Sequence, residues 1–267
     1  MGKKKRGQLH PILLRLGGFE LRSYSVLLIL GLLACLWWSL YEGKRLGIPK
    51  EQILDYLLVM SVGGILGLGM RALPLRFFLS GFRTGPQLSI WTHYGGALIA
   101  NSLLFAMLST QLYGRIVHIQ LARMRDIVAP GLLLTTGIAR WGCFLNGCCF
   151  GYETNSFLRL YLPDVFGNWA YRYPTQLMQS ALNLTLFGVV VLLRKRKPFD
   201  GYIALMSAIL YFAGRFVMSF FRADNYFLFG IAEMQLYSIL YIAAAGALLW
   251  HLFRRAKATS VEKESDG

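Results

Sequence analysis

The chain has 267 residues, 55% hydrophobic and only 15% charged, with a net charge of +15, a pI near 9.9 and a mean hydropathy of +0.47. A soluble domain carries about 25% charged residues. This composition therefore excludes a soluble enzyme, a disordered chain and an ordinary nucleic-acid binder. The basic excess reads instead as juxtamembrane Lys and Arg meeting anionic lipid headgroups. The expected class is an all-α integral membrane protein, a single polytopic domain over residues 1–267.

A helix that crosses about 30 Å of hydrocarbon needs about 20 apolar residues. Spacing between charged residues gives seven such helices, at 23–41, 52–73, 88–112, 126–147, 174–194, 200–221 and 233–253. The second, fourth and sixth are each interrupted by one arginine, Arg71, Arg140 and Arg215. Connections are short except for Gly151–Tyr173, which is rich in Gly, Pro, Asn and Trp. Lys3-Lys4-Lys5-Arg6 resembles the start of a signal peptide. The apolar run that follows has full helix length and no small-x-small cleavage site, so it reads as a retained first helix. The ends, Met1–Gly7 and Ala256–Gly267, read as solvated tails. Lys and Arg in the loops favour an outside N-terminus and a cytoplasmic C-terminus, against the bias of the basic N-terminal run.

Under this alternation helices two, four and six run outward. Arg71, Arg140 and Arg215 follow Asp55, Asp126 and Asp200 by 16, 14 and 15 residues. At 1.5 Å per residue they rise to nearly one level, roughly 21–24 Å. An arginine costs about 2.5–3.5 kcal/mol at a helix centre, and no acid lies within the spans at that depth. The guanidinium fork suits phosphate, so three at one level point to a phospholipid headgroup site near the outer leaflet. Arg71, followed by Pro74 and Arg76, is the one best placed to snorkel to the interface. Tyr24, His93, Tyr94, Glu233 and Gln235 open the helices that run the other way, at the same level.

Helix four ends in Arg140-Trp-Gly-Cys-Phe-Leu-Asn-Gly-Cys-Cys-Phe-Gly151, and its glycines permit close approach and unwinding. This segment resembles the prolipoprotein diacylglyceryl transferase signature G-R-x-G-N-F-x-N-G-E-x-x-G. The resemblance runs nearly end to end. It includes Leu21-Arg-Ser-Tyr24, Tyr94-Gly95-Gly96, Asp126 to Pro130, Tyr173-Pro-Thr-Gln-Leu177, Gly214-Arg215-Phe216 with Phe221-Arg222, and Gln235. It implies transfer of the diacylglyceryl group of phosphatidylglycerol, or another anionic phospholipid, to the lipobox cysteine thiol of a prolipoprotein in the bacterial plasma membrane, with no cofactor and no nucleic acid. By the same resemblance Arg140 and Arg215 bind the departing phosphate. Tyr24, Arg71, Gly95, Gly96, Gly142, Asn146, Gly151, Arg222 and Gln235 line the substrate site.

The chain departs from the pattern at its acid–base positions. Tyr94 stands at the family histidine, with His93 one residue before it. Cys143 stands at the first asparagine, Cys148 at the motif glutamate and Ser219 at a later glutamate. The base is thus His93 or Tyr94. Cys35, within helix one, reads as a small apolar residue. The Cys143, Cys148, Cys149 cluster lacks a nearby histidine and the CxxC spacing of zinc sites, so no metal is expected. Packing, a Cys143–Cys148 disulfide on an oxidising side and a reactive thiolate beside Arg140 all stay open. His10, His118 and His251 sit at span ends or in tails, and Trp91, Trp141, Trp169 and Trp250 fit an interfacial aromatic belt. The alternatives are a paralogous lipid-modifying enzyme with another acceptor, a membrane thiol–disulfide protein using Cys143 and Cys148, and a non-catalytic lipid-binding or transport protein.

Overall fold

A computed structural model describes residues 12–16, 19–69, 95–164, 167–225, 227–228 and 231–265. Seven long helices lie among them: α1 Ser23–Arg45, α2 Lys50–Gly69, α3 Gly95–Val117, α4 Leu121–Asn146, α5 Thr175–Leu193, α6 Tyr202–Ser219 and α7 Glu233–Ser265. All but α3 are among the segments long and apolar enough to cross a membrane, and α3 itself has 23 residues. The all-α membrane class therefore holds. Residues 70–94 fall outside the described residues, and with them the expected end of helix two and start of helix three. The segment beyond 255, read as a tail, continues α7 to Ser265. Among the described residues three short antiparallel hairpins were not expected: β1 Ile12–Leu16 with β2 Phe19–Arg22, β3 Leu160–Pro163 with β4 Trp169–Arg172, and β5 Phe227–Leu228 with β6 Ile231–Ala232. Each strand spans five residues or fewer, too short for alternation to stand out from loop composition.

The chain forms two compact units, Met1–Tyr41 with Arg125–Gly267, and Glu42–Met124. In the smaller unit α2 and α3 pack antiparallel through small residues. Ser109 donates to the Val59 carbonyl (3.2 Å) and Ser102 to that of Gly64 (2.9 Å). Apolar helices in lipid gain little from burying apolar surface against each other, so close packing and interhelical hydrogen bonds hold them.

The larger unit follows the same rule. Along α1 and α4, Trp38 Nε1 donates to the Ile127 carbonyl (3.1 Å) and Thr135 Oγ1 to that of Gly31 (2.8 Å). A Cβ on Gly131 would stand 2.7 Å from Cys35 Sγ, and one on Gly142 would stand 2.9 Å from Tyr24 Cα. The partners step down one helix as they step up the other, so the helices are antiparallel with their closest approach at small residues. Opposite them, α5 packs antiparallel to α4: Ser180 donates to the Gly137 carbonyl (2.7 Å) and Asn183 Nδ2 to Thr136 Oγ1 (3.0 Å). Leu133, Leu186, Val190 and Ile203 form the apolar core shared by α4, α5 and α6. Large apolar side chains such as Leu192, 71% exposed, face outward as lipid-facing residues do.

Helix α6 starts without a side-chain cap of its own, after Gly201 at φ +98°. Asp126 of α4 supplies the cap: its carboxylate accepts from the Gly201 (2.8 Å) and Ala204 (2.9 Å) amides, with Lys197 Nζ at 3.6 Å. That carboxylate meets the first orphan donors and positive dipole end of α6. It also sets the register of the two parallel helices, so residues 14 beyond Asp126 and 14 beyond Gly201 come out level. These are Arg140 and Arg215.

Candidate active site

Helix α4 closes in a Schellman turn. The Gly147 amide donates to the Phe144 carbonyl (3.2 Å), and the Cys148 amide reaches back to that of Cys143 (3.2 Å). Gly147 takes φ +72°, as the turn requires. Cys149 also has positive φ, +61°, which is costly for a residue with a Cβ. Two side chains at the start of α5 hold this strained backbone: Thr175 Oγ1 donates to the Cys149 carbonyl and Gln176 Nε2 to that of Cys148, both at 2.7 Å. The turn folds all three cysteines around Arg140, whose Nη1 lies 3.4 Å from Cys149 Sγ and 3.9 Å from Cys143 Sγ. All four cysteines of the chain are free thiols.

Arg215, only 7% exposed, reaches into the same region from α6. Its partners are neutral: Nη1 donates to Gln179 Oε1 (3.3 Å) and Nη2 meets Met234 Sδ (3.0 Å). Gln179 Nε2 donates to Asn183 Oδ1 (2.9 Å), which extends this support along α5 to Thr136 of α4. Arg140, Arg215 and Arg222 lie close enough for their charges to act on one another, and the Tyr211 phenol acts on both Arg140 and Arg215. Among the described residues neither Arg140 nor Arg215 has a carboxylate partner. Arg215 is thus a buried charge without an opposite charge in hydrogen-bond contact, which is costly, and a second guanidinium nearby raises the cost, so the arrangement is complementary to an anion.

Arg222 differs. Its guanidinium grips Asp224 with Nε (2.9 Å) and Nη2 (2.7 Å). Its backbone forms an antiparallel bridge with Gly151. Here the segment after α4 lies against the segment after α6: Tyr152 N donates to the Phe221 carbonyl (3.0 Å) and Ala223 N to that of Phe150 (3.1 Å). A Cβ on Gly151 would stand 2.5 Å from the Tyr173 carbonyl oxygen, so that position requires glycine. Beyond the end of α4 the thiols divide. Hydrogen bonds from Cys143 and Cys148, with Arg222 and Arg140 nearby, hold Cys149 well below the ordinary thiol range. Cys148, hydrogen-bonded to those two sulfurs, is pushed up.

The fold thus gathers Tyr24, Arg140, Gly142, Cys143, Cys148, Cys149, Gly151, Arg215 and Arg222. Tyr24, from the first turn of α1, packs on Gly142 and faces Arg140 and the cysteines. Asn146 is exposed at the end of α4. Gln235 Oε1 accepts from the Ala232 amide (3.3 Å) and so caps the start of α7. Gly95 and Gly96 open α3 in the other unit. Arg71, His93 and Tyr94 lie outside the described residues.

Gln179 and Tyr211 were missed in the sequence, and Gln176, which stands in the Tyr173–Leu177 resemblance, was given no role there. Gln176 is 2% exposed and its Oε1 has no hydrogen-bond partner. A signal was present, because Gln176, Gln179, Ser180 and Asn183 form a polar stripe at helical spacing on an otherwise apolar segment. Tyr211 precedes Arg215 by four residues, one turn of the same face.

The prolipoprotein diacylglyceryl transferase family model matches residues 11–251. A phosphatidylglycerol–prolipoprotein diacylglyceryl transferase of Bacillus licheniformis is 32% identical over 263 residues, covering 96% of each chain. Proteins of the same name are 33% identical in Bacillus cytotoxicus and 31% in Streptococcus suis, each over 239 residues, covering 87% of this chain and 88% of the relative.

Proposed function

The chain belongs to the prolipoprotein diacylglyceryl transferase family, and from that membership we propose how its residues carry out the transfer. It is a multi-pass protein of the bacterial inner membrane that moves the diacylglyceryl group of phosphatidylglycerol onto prolipoproteins. Arg140 and Arg215 hold the donor phosphate between α4 and α6. The observation that carries this is Arg215, buried with only neutral partners and close to a second guanidinium that has no carboxylate partner among the described residues.

The acceptor is the thiol of a lipobox cysteine. Its sulfur attacks the diacylglyceryl carbon that bears the phosphate ester. The C–S bond forms, the C–O bond breaks, and glycerol phosphate leaves with the bond's electron pair. The two guanidiniums stabilise the charge that collects on the leaving phosphate. Gln176 Oε1, buried beside Cys148, accepts from a hydroxyl of the headgroup glycerol. The base that takes the thiol proton is His93 or Tyr94, and His93 is better suited than Tyr94. An unperturbed histidine titrates near ~6.5 and a tyrosine near ~10. His93→Ala is expected to lose about 10²–10⁴-fold in turnover; full turnover in that variant with loss in Tyr94→Phe would reverse the assignment.

The deciding experiment incubates the purified protein with phosphatidylglycerol and a lipobox peptide and reads the peptide by mass spectrometry. A mass gain of one diacylglyceryl group on the cysteine is expected, and an unmodified peptide would remove this reading. The N-terminus is outside and the site faces the outer leaflet. A membrane-impermeant maleimide applied to intact reduced cells should then label Cys148 or Cys149 and leave Cys35, buried between α1 and α4, unlabelled. Labelling only after the membrane is broken open would invert the topology and take the arginines out of reach of an emerging lipobox.

A further inference from the structure

Phosphate binding needs the arginines but not the three thiols beside them. The Sγ atoms of Cys143, Cys148 and Cys149 all lie within 4.8 Å of one another. A metal ion about 2.3 Å from each of three sulfurs in one plane separates them by about 4.0 Å. Side-chain adjustments of less than about 1 Å would close this cluster onto an ion. The backbone is already set for it by the Cys148–Cys143 turn bond, the Thr175 and Gln176 side chains, and the positive φ of Cys149.

We propose that Cys143, Cys148 and Cys149 form a three-thiolate site for a soft, monovalent metal ion, copper(I). The donor set is all sulfur, and among the described residues no histidine or carboxylate joins it. Structural zinc sites close with four ligands, whereas thiolates with no fourth partner suit copper(I). Three thiolates and one copper(I) carry a net charge of −2. Arg140, which donates to the Cys143 and Cys149 sulfurs, supplies a positive charge directly against this cluster. Arg140 thus holds the place of the outer partner that orients metal ligands. Each sulfur still protonated gives up its proton to water as the ion binds, and no oxidation state changes because the metal enters as copper(I). The C-x4-C-C spacing does not resemble zinc patterns because a helix turn and its Schellman cap, rather than a metal-binding loop, bring the sulfurs together.

The test titrates the full-length protein, purified reduced and without oxygen in detergent, with copper(I) against a chromogenic copper(I) chelator. One copper per chain is expected, with sulfur-to-copper charge transfer in the near ultraviolet and X-ray absorption showing three sulfurs at about 2.3 Å. Cys143→Ser, Cys148→Ser and Cys149→Ser should each weaken binding by about 100-fold or more, since each removes one of three soft donors. Cys35→Ser should titrate as the parent does. Circular dichroism of each variant separates lost ligands from lost fold, and Cys148→Ser, in the partly exposed turn, keeps the test decisive if the buried Cys143→Ser fails to fold. The proposal is overturned by absent stoichiometric copper, by copper retained when all three cysteines are serine, or by zinc held in preference to copper.

Discussion

The two ends of the α4–α6 pair use the same kinds of residue to opposite effect. At one end Asp126 is fully engaged: its oxygens accept two backbone amides of α6, and Lys197 lies beside it. At the other end Arg140 and Arg215 face each other with sulfur and amide oxygen as partners. The first end satisfies every charge and fixes the register of the helices. The second uses that register to hold two like charges near each other, at a cost that the proposed donor phosphate would offset. Within one pair of helices, the capped end and the proposed phosphate site are thus separated by about 14 residues, or roughly 21 Å of helix.

The largest expected effect is at the arginine end. Arg140→Lys and Arg215→Lys should each lower transfer activity by about 10²–10³-fold, the range for loss of a preorganised donor to developing charge, because an ammonium does not reproduce the fork. Arg215→Met, by contrast, should leave the thermal midpoint unchanged or raise it, since it removes a buried and unpaired charge. Near-normal transfer in both lysine variants, or a sharp fall in the midpoint of Arg215→Met, would break the comparison.

The legibility of the molecule follows the same division. Apolar length and charge spacing gave the helices, and the acid-to-arginine count gave the common level of Arg140 and Arg215, because helical rise is fixed. The cysteine cluster was harder to see, although Cys143 lies three residues before Asn146 and Cys148 two residues after it, positions that a Schellman turn brings into contact. The Gln176–Gln179–Asn183 stripe was hidden because a few polar residues do little to the apolar average of α5. The capping of α6 by Asp126 joins residues 75 and 78 positions apart in the chain, and such long-range pairings leave no local pattern.

A smaller effect is expected one step behind the arginines. Gln179 positions Arg215 rather than touching substrate, and hydrogen bonds to charged groups contribute about 1.5–3 kcal/mol. Gln179→Leu should therefore lower kcat/KM by about tenfold or somewhat more. Gln179→Glu places a carboxylate against Arg215 and should compete with the donor phosphate, which raises the KM for phosphatidylglycerol more than it lowers kcat. A merely structural role would instead lower the amount of folded protein in both variants and leave the KM of the remainder alone.

The smallest effect belongs to the opposite end, and there it should be on stability alone. Asp126→Ala removes the side-chain oxygens that meet the first amides of α6, a loss of about 1–2 kcal/mol for a helix cap. In a chain of this size that lowers the thermal midpoint by several degrees. Asp126→Asn keeps an oxygen acceptor for one of the two amides and loses the charge that attracts Lys197, so most of the midpoint should return, because Asn and Asp cap comparably. Transfer activity per folded molecule should match the parent in both variants, since Arg140 and Arg215 are also held in register by the apolar core around Leu133, Leu186 and Ile203. If activity instead falls in parallel with the midpoint, the Asp126 cap sets the spacing of the guanidiniums on its own, and the two ends of the pair are a single functional device.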